Sequence, residues 1–197
     1  MRLAFLATNN GSSMRAIVAA CRDGRLDAEP VLVVSNRKDS PALAFASENG
    51  VAARCIPTIK DPQSADAALA EALGAAGADL VVLSGYLRKL GPRTLAAFRN
   101  RILNVHPALL PDFGGQGMYG RRVHEAVLAS GVAETGATVH LVDDEYDHGP
   151  PVAQARVPVK TGDTAADIEA RVMATEPGLF IDTLRRIASG ELKLPAA

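Results

Sequence analysis

The chain has 197 residues, 48% of them hydrophobic, with a formal net charge of −1 and a pI near 6.4. That length suits one domain, and the composition excludes disorder. The near-neutral charge excludes the basic footprint of a nucleic-acid or anionic-membrane binder, although it says nothing about a local anion site.

In chain order, residues 2–7 form an apolar run ended by Thr8-Asn9-Asn10-Gly11, as in a buried strand. The run is too short for a signal peptide or a membrane span, so a cytoplasmic location is expected. Met14, Ile17, Val18 and Cys21 recur at helical spacing and predict a helix over about 13–23. Val31–Val34 is a second buried strand, Pro41 opens a helix through about Asn49 capped by Gly50, and Val51–Ile56 is a third strand. An alanine-rich helix over 64–76 precedes a strand at 80–83. A short helix follows Pro92, then a strand at 102–105. Strands and helices alternating at this spacing predict βαβ units, and unbroken apolar runs predict strands covered on both faces.

After residue 107 the rhythm changes. Residues 107–120 carry two prolines and four glycines and read as a long loop, followed by a helix over about 122–130. Residues 137–142 and 152–159 read as two strands joined by a polar turn at 143–149. Thr164-Ala165-Ala166-Asp167 resembles a capping box that opens a last helix, in which Pro177 interrupts the pattern. The expectation is a single Rossmann-like α/β domain. Its sheet is mostly parallel, with helices on both faces and antiparallel strands in the C-terminal part.

Three segments have the residue types for chemistry. Asn9-Asn10-Gly11-Ser12-Ser13 lies between the first strand and helix. It reads either as a phosphate cradle of backbone N–H groups at a helix N-terminus or as an ordinary turn with a serine N-cap. It lacks both the GxGxxG and the Walker spacing. Asn104 and His106 end the fifth strand two residues apart, so they share one side of it. An amide that polarises a carbonyl and an imidazole that moves a proton would converge there, unless the pair only satisfies backbone groups. The acidic turn Asp143-Asp144-Glu145-Tyr146-Asp147-His148-Gly149-Pro150 reads as a solvated loop, as a cation site with the wrong spacing for an EF-hand, or as the source of a carboxylate partner for His106. His140, within an apolar strand, reads as a satisfied core histidine. His124, on a helix, lines the site or simply packs. Cys21 and Cys55 are in no CxxC pair and read as buried free thiols. No histidines stand at metal-ligand spacing, so no metal is expected.

Taken together, these segments resemble the folate-dependent phosphoribosylglycinamide formyltransferase family. The matching pieces, in order, are Asn10-Gly11-Ser12, Leu83-Ser84-Gly85-Tyr86-Leu87-Arg88, Asn104-Val105-His106-Pro107-Ala108-Leu109-Leu110-Pro111, Gly136-Ala137-Thr138-Val139-His140 and Asp144 to Pro150. The resemblance covers nearly the whole chain. It implies transfer of a formyl group from 10-formyltetrahydrofolate to the amine of glycinamide ribonucleotide, a step of purine synthesis. Asn104, His106 and Asp147 would be the catalytic trio, with Gly11, Ser12 and Ser13 on the substrate phosphate and Glu176 on the ribonucleotide. Leu87, Arg88 and Asp144 would contact the folate. Residues 1–100 would form the phosphate and ribonucleotide half, and 101–197 the catalytic and folate half, of one formyltransferase domain. Small molecules, not nucleic acid or membrane, are the implied partners, and a homodimer stays open. Alternatives are a formyltransferase of the same superfamily acting on methionyl-tRNA or a nucleotide sugar, a formyltetrahydrofolate hydrolase, or a non-catalytic nucleotide-binding module. Three features depart from the family's pattern: Ser13 where asparagine is common, a longer loop at 112–120, and Pro177 directly after Glu176.

Overall fold

The computed structural model describes residues 1–196. The elements run β1 (Arg2–Leu6), α1 (Ser12–Arg22), β2 (Glu29–Ser35), α2 (Pro41–Glu48), β3 (Ala52–Cys55), α3 (Pro62–Ala75), β4 (Leu80–Leu83), α4 (Pro92–Ala97), β5 (Ile102–His106), α5 (Arg121–Ser130), β6 (Glu134–Leu141), β7 (Pro151–Pro158) and α6 (Ala165–Ala188). One sheet holds all seven strands in the order β3-β2-β1-β4-β5-β6-β7. The first five are mutually parallel, and β6 and β7 are antiparallel to their neighbours.

Alternation along β1 explains why helices cover both faces. Leu3 and Phe5 join a core with Met14 and Ile17 of α1, Ala42 and Ala46 of α2, and Phe180 and Leu184 of α6. Ala4 and Leu6 face the other way, into a core with Leu69 and Leu73 of α3 and Phe98 just beyond α4. A third cluster joins Val127 of α5 to Ala137, Val157, Ile168 and Val172. The strand order reverses direction between β1 and β4. In open α/β sheets the crevice beyond the carboxyl ends at such a point is where ligands bind. The chain leaving β1 and the chain leaving β4 are tied together there. Thr8 N–H donates to the Gly85 carbonyl at 3.2 Å, and Leu87 N–H donates to Thr8 Oγ1 at 2.8 Å.

Three expectations need correction. The N-cap of α1 is Gly11 in the left-handed conformation (φ 65°), with no side-chain cap, rather than a serine. A Cβ there would lie 3.1 Å from Met14 Cε, so a residue without one fits the turn. Cys21 and Cys55 are only partly buried. Pro177 lies inside an unbroken α6, not at a break. It deprives the Met173 carbonyl of its intrahelical donor, but Met173 is half exposed and water can serve instead. Ile168, Val172, Phe180 and Leu184 bury one continuous stripe on either side of the proline, and that packing carries the helix through. Among the described residues, no helix is long and apolar enough to cross a membrane.

Candidate active site

The carboxyl ends of β1, β4 and β5 point to the same edge of the sheet, because these neighbours are parallel. The segments singled out in the sequence leave from those ends. Asn104 and His106 sit on β5 opposite His140 and Thr138 of antiparallel β6. The period of two therefore puts four polar side chains on one patch of sheet. After β6 the chain turns through 143–149 and returns as β7. The turn is tight at its end: a Cβ on Gly149 would fall 1.9 Å from the Leu141 carbonyl oxygen. Asp147, itself left-handed at φ 55°, is aimed back over β5.

Asp147 Oδ2 lies 3.3 Å from His106 Nδ1, and its Oδ1 lies 3.6 Å from His140 Nε2. Gly115 N–H donates to Oδ2 at 3.2 Å. His106 is 3% exposed, and its Nε2 donates to the Phe113 carbonyl at 2.8 Å. Oxygen acceptors thus face both ring nitrogens, and a ring protonated on both donates to both. Burial pushes the Asp147 carboxyl up. Hydrogen bonding to His106, its charge and the Gly115 amide outweigh that push, and the carboxyl titrates below its ordinary range. The arrangement pairs a carboxylate that stays ionised with an imidazole in a largely water-free setting, which suits proton transfer.

His140 is the satisfied core histidine that its place in an apolar strand implied, but what satisfies it includes a site residue. Nδ1 donates to the Leu141 carbonyl at 2.9 Å, which leaves Nε2 to accept from Asn104 Nδ2 at 3.1 Å. Burial lowers its pKa and keeps the ring neutral, as that acceptor role requires. The Asn104 amide is thereby held in one orientation, with its second N–H free to donate. The signal was present in the sequence: 138 and 140 share a face, as do 104 and 106. Only the β5–β6 register joins the two pairs. Thr138 is a hub of the same patch. Its Oγ1 accepts from Leu110 N–H at 3.0 Å and from Gln154 Nε2 at 2.9 Å, and donates to the Ala108 carbonyl at 2.7 Å, fixing the strand exit after His106.

The structure also separates the alternatives for the acidic turn. Asp143 pairs with exposed His148 at 2.9 Å, Asp144 and Glu145 face solvent, and only Asp147 turns inward. Glu176, on α6, is partly buried. Burial pushes its carboxyl up to about 7, against a smaller opposing pull from the His106 charge. His124 is buried, and its Nδ1 has no partner among the described residues.

At the other end of the crevice, the first-turn N–H groups of α1 have no intrahelical acceptor. That of Met14 is taken by Ser84 Oγ at 3.0 Å. The turn before α1 is braced from outside it. Ser40 Oγ and Ala42 N–H donate to the Asn9 carbonyl, and Arg15 Nε donates to the Asn10 carbonyl. Leu87 is exposed, and Arg88 and Asp144 line separate clefts. Arg88 lines a cleft of about 150 Å³ with Thr58, Asp66, Tyr86 and Lys89, whereas Asp144 lines one of about 520 Å³ beside Leu95 and Arg99 of the α4 region. The two segments touch where Lys89 Nζ sits 5.7 Å above the Tyr146 ring.

Residues 1–184 match the family model described as formyl transferase. The chain is 38% identical over 195 residues to the chloroplastic phosphoribosylglycinamide formyltransferase of Arabidopsis thaliana, covering 98% of this chain and 67% of that protein. It is 35% identical over 196 residues to the phosphoribosylglycinamide formyltransferase of Escherichia coli K12, covering 98% and 90%. The crystal structure of glycinamide ribonucleotide transformylase 1 from Symbiobacterium toebii superposes with a TM-score of 0.89 at 38% identity, over all of this chain and 91% of that one. On the extent of the family match and of the alignment to relatives of similar length, the chain belongs to the formyl transferase family and to its phosphoribosylglycinamide formyltransferase members.

Proposed function

We propose that the chain transfers a formyl group from 10-formyltetrahydrofolate to the amine of glycinamide ribonucleotide, with Asn104, His106 and Asp147 carrying the transfer. The observation that carries this reading is the convergence of those three side chains, drawn from β5 and the turn after β6, on one buried patch. As the amine attacks the formyl carbon, negative charge grows on the formyl oxygen. The free Asn104 N–H is available to donate to it, and His106, when protonated, stabilises it by its positive charge while its two N–H groups are held by the Phe113 carbonyl and Asp147. Asp147 takes the proton leaving the amine, directly or through one water, because its carboxylate is held ionised.

The Ser12 and Ser13 N–H groups, at the positive end of α1 behind Gly11, bind the substrate phosphate. Glu176 binds the ribonucleotide. Leu87, Arg88 and Asp144 contact the folate from the two walls joined by Lys89 and Tyr146. In this division residues 1–100 supply the phosphate and ribonucleotide half and 101–197 the catalytic and folate half, in a cytoplasmic enzyme of small-molecule substrates. The test is formyl transfer measured with and without glycinamide ribonucleotide. Turnover that needs the amine supports the reading. Formate release without the amine would replace it with hydrolysis, and binding without turnover would leave a nucleotide-binding module.

A further inference from the structure

We propose that the backbone of Phe113-Gly114-Gly115, in the loop after β5, is a positioning element of the site that selects which nitrogen of His106 faces Asp147. This rests on the reading that His106 and Asp147 carry the transfer. The loop touches both members of the pair with main-chain atoms alone. The Phe113 carbonyl accepts from His106 Nε2 at 2.8 Å, and the Gly115 N–H donates to Asp147 Oδ2 at 3.2 Å. A backbone carbonyl can only accept. With the Nε2 proton committed to it, Nδ1 is the nitrogen left to exchange a proton with Asp147. The Gly115 amide occupies the carboxylate from the loop side and orients Oδ2 toward that nitrogen. One short segment thus sets the orientation of the imidazole and the rotation of the carboxylate.

The local sequence is shaped for the task. Phe113 is left-handed at φ 56° and Gly115 lies at φ 99°, which swings the carbonyl and the amide two residues later toward the same pair. Gly114 leaves little space for a side chain: a Cβ would press on the tip of Leu110 at 2.5 Å from Cδ2 and crowd Asp147 at 3.3 Å from its Cβ. The Phe113 ring anchors the segment by packing on the cluster of Val127, Ala137 and Val157.

The experiment combines ¹⁵N NMR of the His106 ring with steady-state kinetics. In the unaltered protein Nε2 carries a proton in a hydrogen-bonded environment, with Nδ1 turned to Asp147. Gly114→Ala and Phe113→Ala both lose that signature, and kcat falls about 10²-fold, the scale expected when a reacting group is misplaced by about an ångström. KM for either substrate stays within about threefold, since binding contacts are not touched. Tyr119→Ala, in the same loop but exposed, leaves both readouts as they were. If Gly114→Ala does not fold, Phe113→Ala, which adds no atoms, decides. An Nε2 with no hydrogen-bonded proton in the unaltered protein overturns the proposal. So does a folded variant with unchanged kcat, or one in which kcat and KM move together. If the unaltered protein transfers no formyl group, the proposed reaction fails while the NMR result still decides the role of the loop.

Discussion

Glu176→Gln separates the electrostatic state of the site from its packing. The glutamate carboxyl titrates near 7 in the folded protein because burial on α6 penalises its charge, against 4.5 for the unperturbed group. Between those two values the folded state holds a proton that the unfolded chain has released. The contribution of Glu176 to stability is therefore fully present below about pH 4.5, declines as pH rises, and is gone above about 7. At about 1.4 kcal/mol per unit, the difference amounts to roughly 3 kcal/mol. Glutamine has nearly the same shape and no titration. Urea unfolding of both proteins at intervals from pH 4.5 to 8 cancels every other ionisable group in the difference. The variant should match the parent near pH 4.5 and exceed it by about 3 kcal/mol near pH 8. A difference that stays flat across this range, or one that favours the parent at high pH, would refute the argument that burial governs this carboxyl.

Asp147→Asn should lower kcat about 10²–10⁴-fold with KM changed far less, because it removes the proton acceptor and keeps the shape; near-parental turnover would remove Asp147 from the mechanism. Its carboxyl titrates low, so the stability it contributes is present above the unfolded pKa and is lost as pH falls through the depressed value; acid unfolding curves of the parent and Asp147→Asn should accordingly converge at low pH. Gly11→Val, at φ 65° with Met14 and Ala42 close by, should raise KM for glycinamide ribonucleotide more than Ser12→Ala does, as initial-rate kinetics would show. Asp66→Ala should cost about 2–4 kcal/mol in urea, because buried donors lose their acceptor, without changing turnover per folded molecule.

The strands were the most legible part of the chain, and for a direct reason. A strand covered on both faces must be apolar at every position, so 80–83 appears as an unbroken run and the observed β4 has those bounds. Boundaries slipped where hydrogen bonding, not burial, sets the end: β6 begins at Glu134, ahead of the predicted 137, because Glu134 and Thr135 pair with Pro158 and Val157. The start of α4 was legible only as a proline. What caps it is Asp66, from α3, which accepts from the N–H groups of Arg93 and Thr94 and from Thr94 Oγ1. A cap borrowed from another helix leaves no local pattern to read. The last helix misled for the opposite reason, since Pro177 gives a strong local signal that the packing of α6 overrides.

The site divides in the same way. The placing of Asn104 and His106 on one side of a strand follows from the two-residue period of an extended chain, and their position at its carboxyl end follows from the alternation of strands and helices. Sequence alone therefore determined that an amide and an imidazole share a patch at the ligand edge of a parallel sheet. It could not determine which of the four carboxylates in the 143–148 turn would meet them, since the turn's composition is the same whichever one points inward. The antiparallel register of β6 on β5 decided that, delivering Asp147 to His106 and making the core residue His140 the holder of Asn104. The tertiary structure also brought the Phe113 carbonyl onto the imidazole, because main-chain groups are identical in every residue and only their placement gives them a role.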